Sequence, residues 1–429
     1  MNIDKQIYPR NNRGVILILT LWMVTVLSLI AYSLAYEMRL EVRLTKLRKD
    51  NLVAYRLAKA GVAKAICDLK NDMVIERGEE GEIFDAEGDI WKKGEDKTNI
   101  EMNEGTYSVR IIDEDSLVNL NTAHPILMQE MVKLFIGEDE DEEAKKIAIS
   151  IYDWRDGDTE PADGDPETEQ KYYENLIADD FDMDRDDEDF RYSYRMKNDD
   201  YTTVEELLDV YGVYPELFYG FEPEERKIEI LQERAESRDR DSIHRMTYAD
   251  SDEEYSLDAE VEGLRDMFTV NSSGAVNINT AGLDVLTAMI ATAENQAENP
   301  EDLAQAIIDY RRDGDDRDVD NDKAFRNVGE LSHVDGLSGG IISRMRSIQR
   351  MTVVSRFFRI IAEGNFGGAH RTIEAVVSRN WETFNVDEND EDFDPDAYER
   401  VRRVEDDQHD RDVITVESPS VRIIQWRER

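Results

Sequence analysis

From Val15 to Tyr36 the chain runs for 22 residues without a charged side chain. A helix of that length, rising about 1.5 Å per residue, crosses the roughly 30 Å hydrocarbon core of a bilayer. The run is longer than the apolar core of a cleaved signal peptide. It ends in Ala35-Tyr36-Glu37-Met38-Arg39, which offers no small-x-small cleavage site. The preceding flank carries Lys5, Arg10 and Arg13 against Asp4. By the positive-inside bias, this places the N-terminus in the cytoplasm and the remaining chain across the membrane. No proline interrupts Val15 to Asp72, and Leu57, Ala58, Gly61, Val62, Ala65, Ile66 and Leu69 recur at helical spacing. These features predict one long helix, embedded in its first part and laid on a domain by an apolar stripe in its second. Cys67 falls among those stripe positions and reads as a buried structural thiol.

Beyond the helix the sequence changes period. GTYSVRIIDED alternates Tyr107, Val109 and Ile111 with polar residues, a strand signal. RFFRIIAEG and RTIEAVVSR flank Asn365-Phe366-Gly367-Gly368-Ala369 and predict a hairpin. VRIIQWRER at the end reads as a last strand, and the acidic stretch 383–412 before it as a solvated loop. Between these strands lies a helical region with an internal repeat. LVNLNTAHPILMQEM (117–131), KKIAISIYDWRDGD (145–158) and TTVEELLDVYGV (202–213) recur in order. Their counterparts are AVNINTAGLDVLTAM (275–289), LAQAIIDYRRDGD (303–315) and RNVGELSHVDGL (326–337). In each copy Asn121 or Asn279 is placed to cap the next helix, and the later glycine suits a helix C-terminal turn. The fold class expected is α+β: a long helix on a small antiparallel sheet, with a large all-α insertion of two helix-hairpin-helix-like repeats.

The N-terminal stretch RNNRGVILILTLWMVTVLSLIAYSLAYEMR resembles that of the type IV pilin and pseudopilin superfamily. There a short basic leader is cut after glycine and the apolar helix stays in the mature subunit. The resemblance implies Gly14 as the last leader residue, Val15 as the new, methylated N-terminus, and processing by the prepilin peptidase. Most of that superfamily carries glutamate at the fifth mature position, where this chain has Leu19. A buried carboxylate there is tolerable when it meets a neighbour's terminal ammonium, and a subunit with no preceding neighbour has none to meet. Leu19 together with the helical insertion resembles the minor pseudopilin K family of type II secretion systems. The implied organisation is a leader (1–14), a transmembrane helix (15–36), an α/β domain in two parts (37–115 and 351–429) and an inserted α-helical domain (116–350). The implied role is to initiate and cap the pseudopilus that exports folded proteins across the outer membrane. The chain would be anchored in the inner membrane with its bulk in the periplasm. Implied partners are the minor pseudopilins of the I and J types and the inner-membrane assembly platform. The alternative is a minor subunit of a type IV pilus or DNA-uptake system whose helical hairpins grip DNA.

Charge weighs against that alternative. The 429-residue chain holds 98 acidic and 52 basic side chains, a formal charge of −46. EDEDEE (138–143) and ADDFDMDRDDEDF (178–190) adjoin the first repeat and would repel a duplex, so no nucleic acid is expected. Carboxylates on turns suit calcium. Two loops offer them: Asp153, Asp156, Asp158, Glu160, Asp163, Asp165 and Glu167 in the first, Asp313, Asp315, Asp318 and Asp320 in the second. Asp156, Asp158, Glu160 and Glu167 stand at relative positions 1, 3, 5 and 12 of an EF-hand loop, with Pro161 in place of its central glycine. The resemblance to the K family also implies calcium. His124, His244, His333, His370 and His409 are scattered without metal-ligand spacing, and no catalytic fingerprint is present. The expectation is a protein that is not an enzyme.

Overall fold

The computed structural model describes residues 13–79, 84–92, 97–103, 105–137, 140–180, 194–220, 263–293, 299–312, 323–387, 400–403 and 413–428. Helix α1 runs unbroken over Arg13–Glu79. Its segment Ile16–Lys49 is exposed on every face. Within α1 lies a stretch apolar and long enough to cross a membrane.

From Ala54 onward, α1 packs on a six-stranded antiparallel sheet. The strands are β1 (Ile100–Met102), β2 (Gly105–Asp113), β7 (Phe357–Phe366), β8 (Ala369–Asp387), β9 (Arg400–Arg403) and β10 (Val413–Glu428), in the order β1-β2-β7-β8-β10-β9. Leu57, Ala58, Val62, Ala65 and Leu69 of α1 meet Val109, Phe358, Ile360, Ala362, Ile373, Ala375 and Val377. The helix sits close because Gly61 has no side chain: a Cβ there would stand 2.8 Å from Val109 Cγ2. Cys67, in contrast to its expected burial, is exposed. The stripe that faces the sheet is Ala58, Val62, Ala65 and Leu69, and position 67 lies about 160° around the helix from Leu69.

The predicted hairpin joins β7 to β8 through Gly367-Gly368, with Phe366 opposite Ala369 and φ of +60° and +87° at the two glycines. The acidic stretch 383–412 is not simply a loop. Strand β8 continues to Asp387 opposite Val413, and β9 pairs with Ile414–Glu417 of β10. Its carboxylates suggested solvent, yet alternation of Phe384 and Val386 with polar residues, and a partner strand for the backbone, suffice for a strand.

The chain leaves the sheet after β2 and returns at β7. Between them are two closed units. The first begins at β3 (Val118–Asn119), which pairs in parallel with β4 (Phe268–Thr269); the second begins at β5 (Ala275–Asn277), which pairs in parallel with β6 (Arg350–Thr352). The first holds α2 (Pro125–Ile136), α3 (Asp141–Asp153), α4 (Glu169–Asp180), a 3₁₀ turn (Val204–Asp209), α5 (Pro215–Tyr219) and α6 (Leu264–Met267). The second holds α7 (Leu283–Ala291), α8 (Pro300–Arg312), a 3₁₀ turn (Val328–His333) and α9 (Gly339–Ile348). Both share one apolar core, including Leu127, Met131, Ile151, Phe268, Leu286, Ile307 and Phe325.

The helices of the insertion begin and end differently from the sequence expectation. The helix caps are His124, whose Nδ1 accepts from Ile126 N–H, and Gly282. Asn121 and Asn279 instead clasp distant backbone. Asn121 accepts from Tyr201 N–H (2.7 Å) and donates to its carbonyl (3.0 Å); Asn279 does the same with Phe325 (2.8 and 2.9 Å). Nor do Gly212 and Gly336 end α-helices. They sit at φ +84° and +87° in the turn between each 3₁₀ turn and the following helix, a left-handed conformation that glycine adopts without steric cost.

Candidate functional site

Between α3 and its 3₁₀ turn the first unit has a longer connection than the second has between α8 and its own, and the acidic loop and α4 of that connection build a carboxylate cluster. Helix α3 ends at Asp153, whose side chain is fully buried. Its Oδ1 accepts from Ala162 N–H (3.2 Å) and its Oδ2 from the Tyr173 hydroxyl (2.8 Å). Asp156 follows within one turn, and Glu169 opens α4 on the far side of the loop. One oxygen from each of Asp153, Asp156 and Glu169 lies within 4.8 Å of the others.

The electrostatics of this cluster are unfinished. Glu169 Oε2 accepts from Asn198 (2.6 Å), but Glu169 Oε1 and Asp156 Oδ1 are buried with no hydrogen-bond donor. Burial, together with repulsion among the carboxylates, raises Asp153 to about 6 and Glu169 to about 7; it raises Asp156 as well. Arg155 offsets them only weakly, because its guanidinium donates to the carbonyls of Leu120 and Ala123 instead of pairing with a carboxylate. An all-oxygen set with unpaired lone pairs fits a hard cation such as calcium.

The second unit fills the same place differently. Arg311 repeats the role of Arg155, donating to the carbonyls of Ile278 (2.7 Å) and Ala281 (2.9 Å). Arg312 stands where the first unit has Asp156, and it pairs with Glu87 at 2.7 Å. The second unit therefore carries its own cation at the position where the first presents a bare carboxylate.

The EF-hand order is not assembled. Asp158 accepts from Glu160 N–H, Asp163 from Asp165 N–H and the Tyr172 hydroxyl, and Asp165 from Glu167 N–H. Glu167 pairs with Lys171 (2.9 Å), and Glu160 is exposed. These residues shape the loop, while Asp153 and Asp156 converge. Glu169 was not among the residues the loop spacing singled out. Its only sequence signal is its place at the boundary between the acidic loop and a helix. Asp313, Asp315, Asp318 and Asp320 lie outside the described residues.

A second buried cluster, Asp72, Asp85 and Asp89, already holds a cation of its own. Arg379 pairs with Asp72 (3.0 Å) and with Asp85, and Asp89 accepts from Ala86 N–H and the Trp91 indole. Beside it, Asp113-Glu114-Asp115 marks the exit from β2. Asp113 accepts from the hydroxyls of Thr280 and Ser355 (2.5 Å each); Glu114 pairs with Arg359 (2.5 Å); Asp115 accepts from the N–H groups of Ser273 (2.7 Å) and Arg356 (2.6 Å). With the Thr269 hydroxyl, which donates to Glu114, these bonds tie the sheet to both helical units.

Of the histidines, His124 caps α2, His333 is exposed, and His370 bonds Asn365 and Thr372. His244 and His409 lie outside the described residues. Gly14 and Val15 fall in the first turn of α1, and Leu19 is exposed along the apolar stretch. Lys5, Arg10 and Arg13 precede that stretch, whereas Arg39, Arg43, Lys46, Arg48 and Lys49 follow it. Counted within one flank's length, the positive charges favour the far side, so charge bias alone does not set the orientation.

No family model matches the sequence, and no curated protein matches it. Among solved structures, the fold is similar to a chain of the GspK–GspI–GspJ complex of the type 2 secretion system from enterotoxigenic Escherichia coli. That similarity has 13% identity, spans 78% of this chain and 94% of that one, and has a TM-score of 0.48.

Proposed function

We propose that the chain is a minor pseudopilin of the K type, placed at the tip of a type II secretion pseudopilus. The observation that carries this reading is the order of elements on α1. A helix stands bare over Ile16–Lys49, then packs on a sheet whose strands β2 and β7 are separated by the whole helical insertion. A bare apolar helix continuous with a folded domain suits a subunit that is held in the membrane and then assembled through helix contacts. Leu40, Leu44 and Leu47, exposed at i, i+4 and i+7, extend that assembly face beyond the span. Leu19 leaves the helix without a buried carboxylate, which suits the first subunit laid down.

In this reading the prepilin peptidase cuts between Gly14 and Val15, and the new terminus is methylated. The span sits in the inner membrane with the sheet and helical units in the periplasm. Partners are the I- and J-type minor pseudopilins and the assembly platform. The role is initiation and capping of a filament and involves no bond chemistry. Calcium at Asp153, Asp156 and Glu169 supplies the missing positive charge and ties α3 to α4. The DNA-uptake alternative is disfavoured because Asp209 and Asp335 are exposed beside the Gly212 and Gly336 turns, where a phosphate would have to approach.

Mass spectrometry of the mature N-terminus, after coexpression with a prepilin peptidase, tests the reading. A methylated Val15 is expected. A chain that keeps Met1, or is cut beyond Tyr36, refutes it. Copurification with I- and J-type pseudopilins, compared with major pseudopilin alone, tests the place in the filament.

A further inference from the structure

We infer that the part of α1 just past the apolar stretch, Arg39 to Lys49, is a binding collar for the headgroups of anionic phospholipid. Between Glu37 and Lys49 there are five cations (Arg39, Arg43, Lys46, Arg48 and Lys49) and two carboxylates, in a chain whose acidic residues outnumber its basic ones by 98 to 52. All of these side chains are exposed, and among the described residues none of the five cations joins an ion pair. At about 100° per residue, Arg39, Arg43 and Lys46 share roughly one sixth of the helix circumference. Leu40, Leu44 and Leu47 occupy a separate stripe, so the cationic face stays free when the apolar one is covered.

Position selects the partner. Arg39 stands about 4.5 Å along the helix beyond Tyr36, Arg43 about 10 Å and Lys46 about 15 Å. The headgroup layer is about 5–8 Å thick, and Arg and Lys side chains reach back along the helix toward it. Lipid phosphates thus meet Arg39 and Arg43 directly, and the later cations act within about one Debye length of the surface. The collar also answers a problem set by the rest of the chain: a chain of formal charge −46, whose acidic excess lies beyond the neck, is repelled by an anionic leaflet, and these cations lie between the two. A merely solvated neck would need no such reversal of sign. The inference rests on α1 entering a bilayer and not on a role in secretion.

The test uses the full chain in zwitterionic detergent, titrated with short-chain phosphatidylglycerol or phosphatidylcholine and read by native mass spectrometry. Flotation with liposomes reports membrane insertion separately, and circular dichroism reports folding. A preference of about tenfold for phosphatidylglycerol at low salt is expected, falling with salt. It should vanish in the combined variant Arg39→Gln, Arg43→Gln, Lys46→Gln, with insertion and helix content unchanged. The combined variant Arg110→Gln, Arg346→Gln, Arg371→Gln removes equal charge from the exposed surface of the sheet and helical units and should keep the preference. Equal affinity for the two lipids overturns the collar. So does a neck variant that retains the preference, or a control that loses as much.

Discussion

Without a bound cation, the Asp153–Asp156–Glu169 cluster should make stability depend on pH in a defined direction. Without a cation, Asp153 is raised from 3.8 to about 6 and Glu169 from 4.5 to about 7. A carboxyl whose folded pKa is raised favours the folded state fully below its unfolded pKa. That contribution is lost as pH rises through the folded value. A shift of about two units corresponds to about 3 kcal/mol. Because the two groups share one repulsion, the pair together costs about 3–4 kcal/mol at high pH rather than the sum. For a domain of this size, that is a fall in Tm of roughly 8–14 °C between about pH 5 and about pH 8 in chelator. Calcium bound there would offset that cost, by about 2.7 kcal/mol in total when present at a hundredfold excess over its Kd. The assay is thermal melting of the full chain in detergent, followed by circular dichroism across that pH range with and without millimolar calcium. Asp156→Asn supplies the discriminating sign: it should melt higher than wild type in chelator at about pH 8 and gain nothing from calcium. Coincident wild-type curves with and without calcium refute a cation site. A variant that melts lower in chelator refutes the electrostatic account.

Three further outcomes follow from packing and clasp geometry. Asn279→Ala strands the N–H and carbonyl of Phe325 in a buried site and should cost about 2–4 kcal/mol in a chemical melt, with Asn121→Ala costing less because that clasp is half-exposed. Gly61→Val should push α1 off Val109 and cost about 1–3 kcal/mol, while Ala63→Val on the exposed face costs only helix propensity. Terbium should give luminescence sensitised by the Trp154 and Tyr173 rings beside the cluster, and calcium should displace it; Glu169→Gln should abolish both signals.

What the sequence disclosed divides along the range of the interactions. The continuity of α1, the strand of β2 and the Gly367-Gly368 hairpin depend on periodicity and turn chemistry within about ten residues, and all were legible. Asn121 and Asn279 were recognised as repeat landmarks but misread as caps, because their partners Tyr201 and Phe325 are 80 and 46 residues away. The cluster was half legible: Asp153 and Asp156 stood out in an acidic loop, but carboxylates on turns mostly bond their own backbone, as Asp158, Asp163 and Asp165 do. Glu169 is brought in by the direction in which α4 leaves the loop, which spacing does not encode. The strand at the end of β8 was hidden by charge, since charge predicts solvent contact and strand pairing requires only a partner for the backbone.

The junction Asp113-Glu114-Asp115 offers a last prediction that separates the sheet's hold on the helical units from the Asp153–Asp156–Glu169 cluster. Asp113 is buried beside Asp115, and burial and that neighbouring charge raise it to about 7 despite the hydroxyls of Thr280 and Ser355. Its folded pKa lies above the unfolded value, so its contribution favours the folded state below about pH 4 and is lost as pH rises through about 7. Asp113→Asn keeps an acceptor for the Asp115 N–H and places a neutral amide against two hydroxyls that can turn to accept. The variant should therefore match wild type near pH 5 and exceed it above about pH 8, and calcium should not alter that difference. A variant that is weaker at both ends would mean that the charge of Asp113, and not its shape, holds the sheet to the helical units.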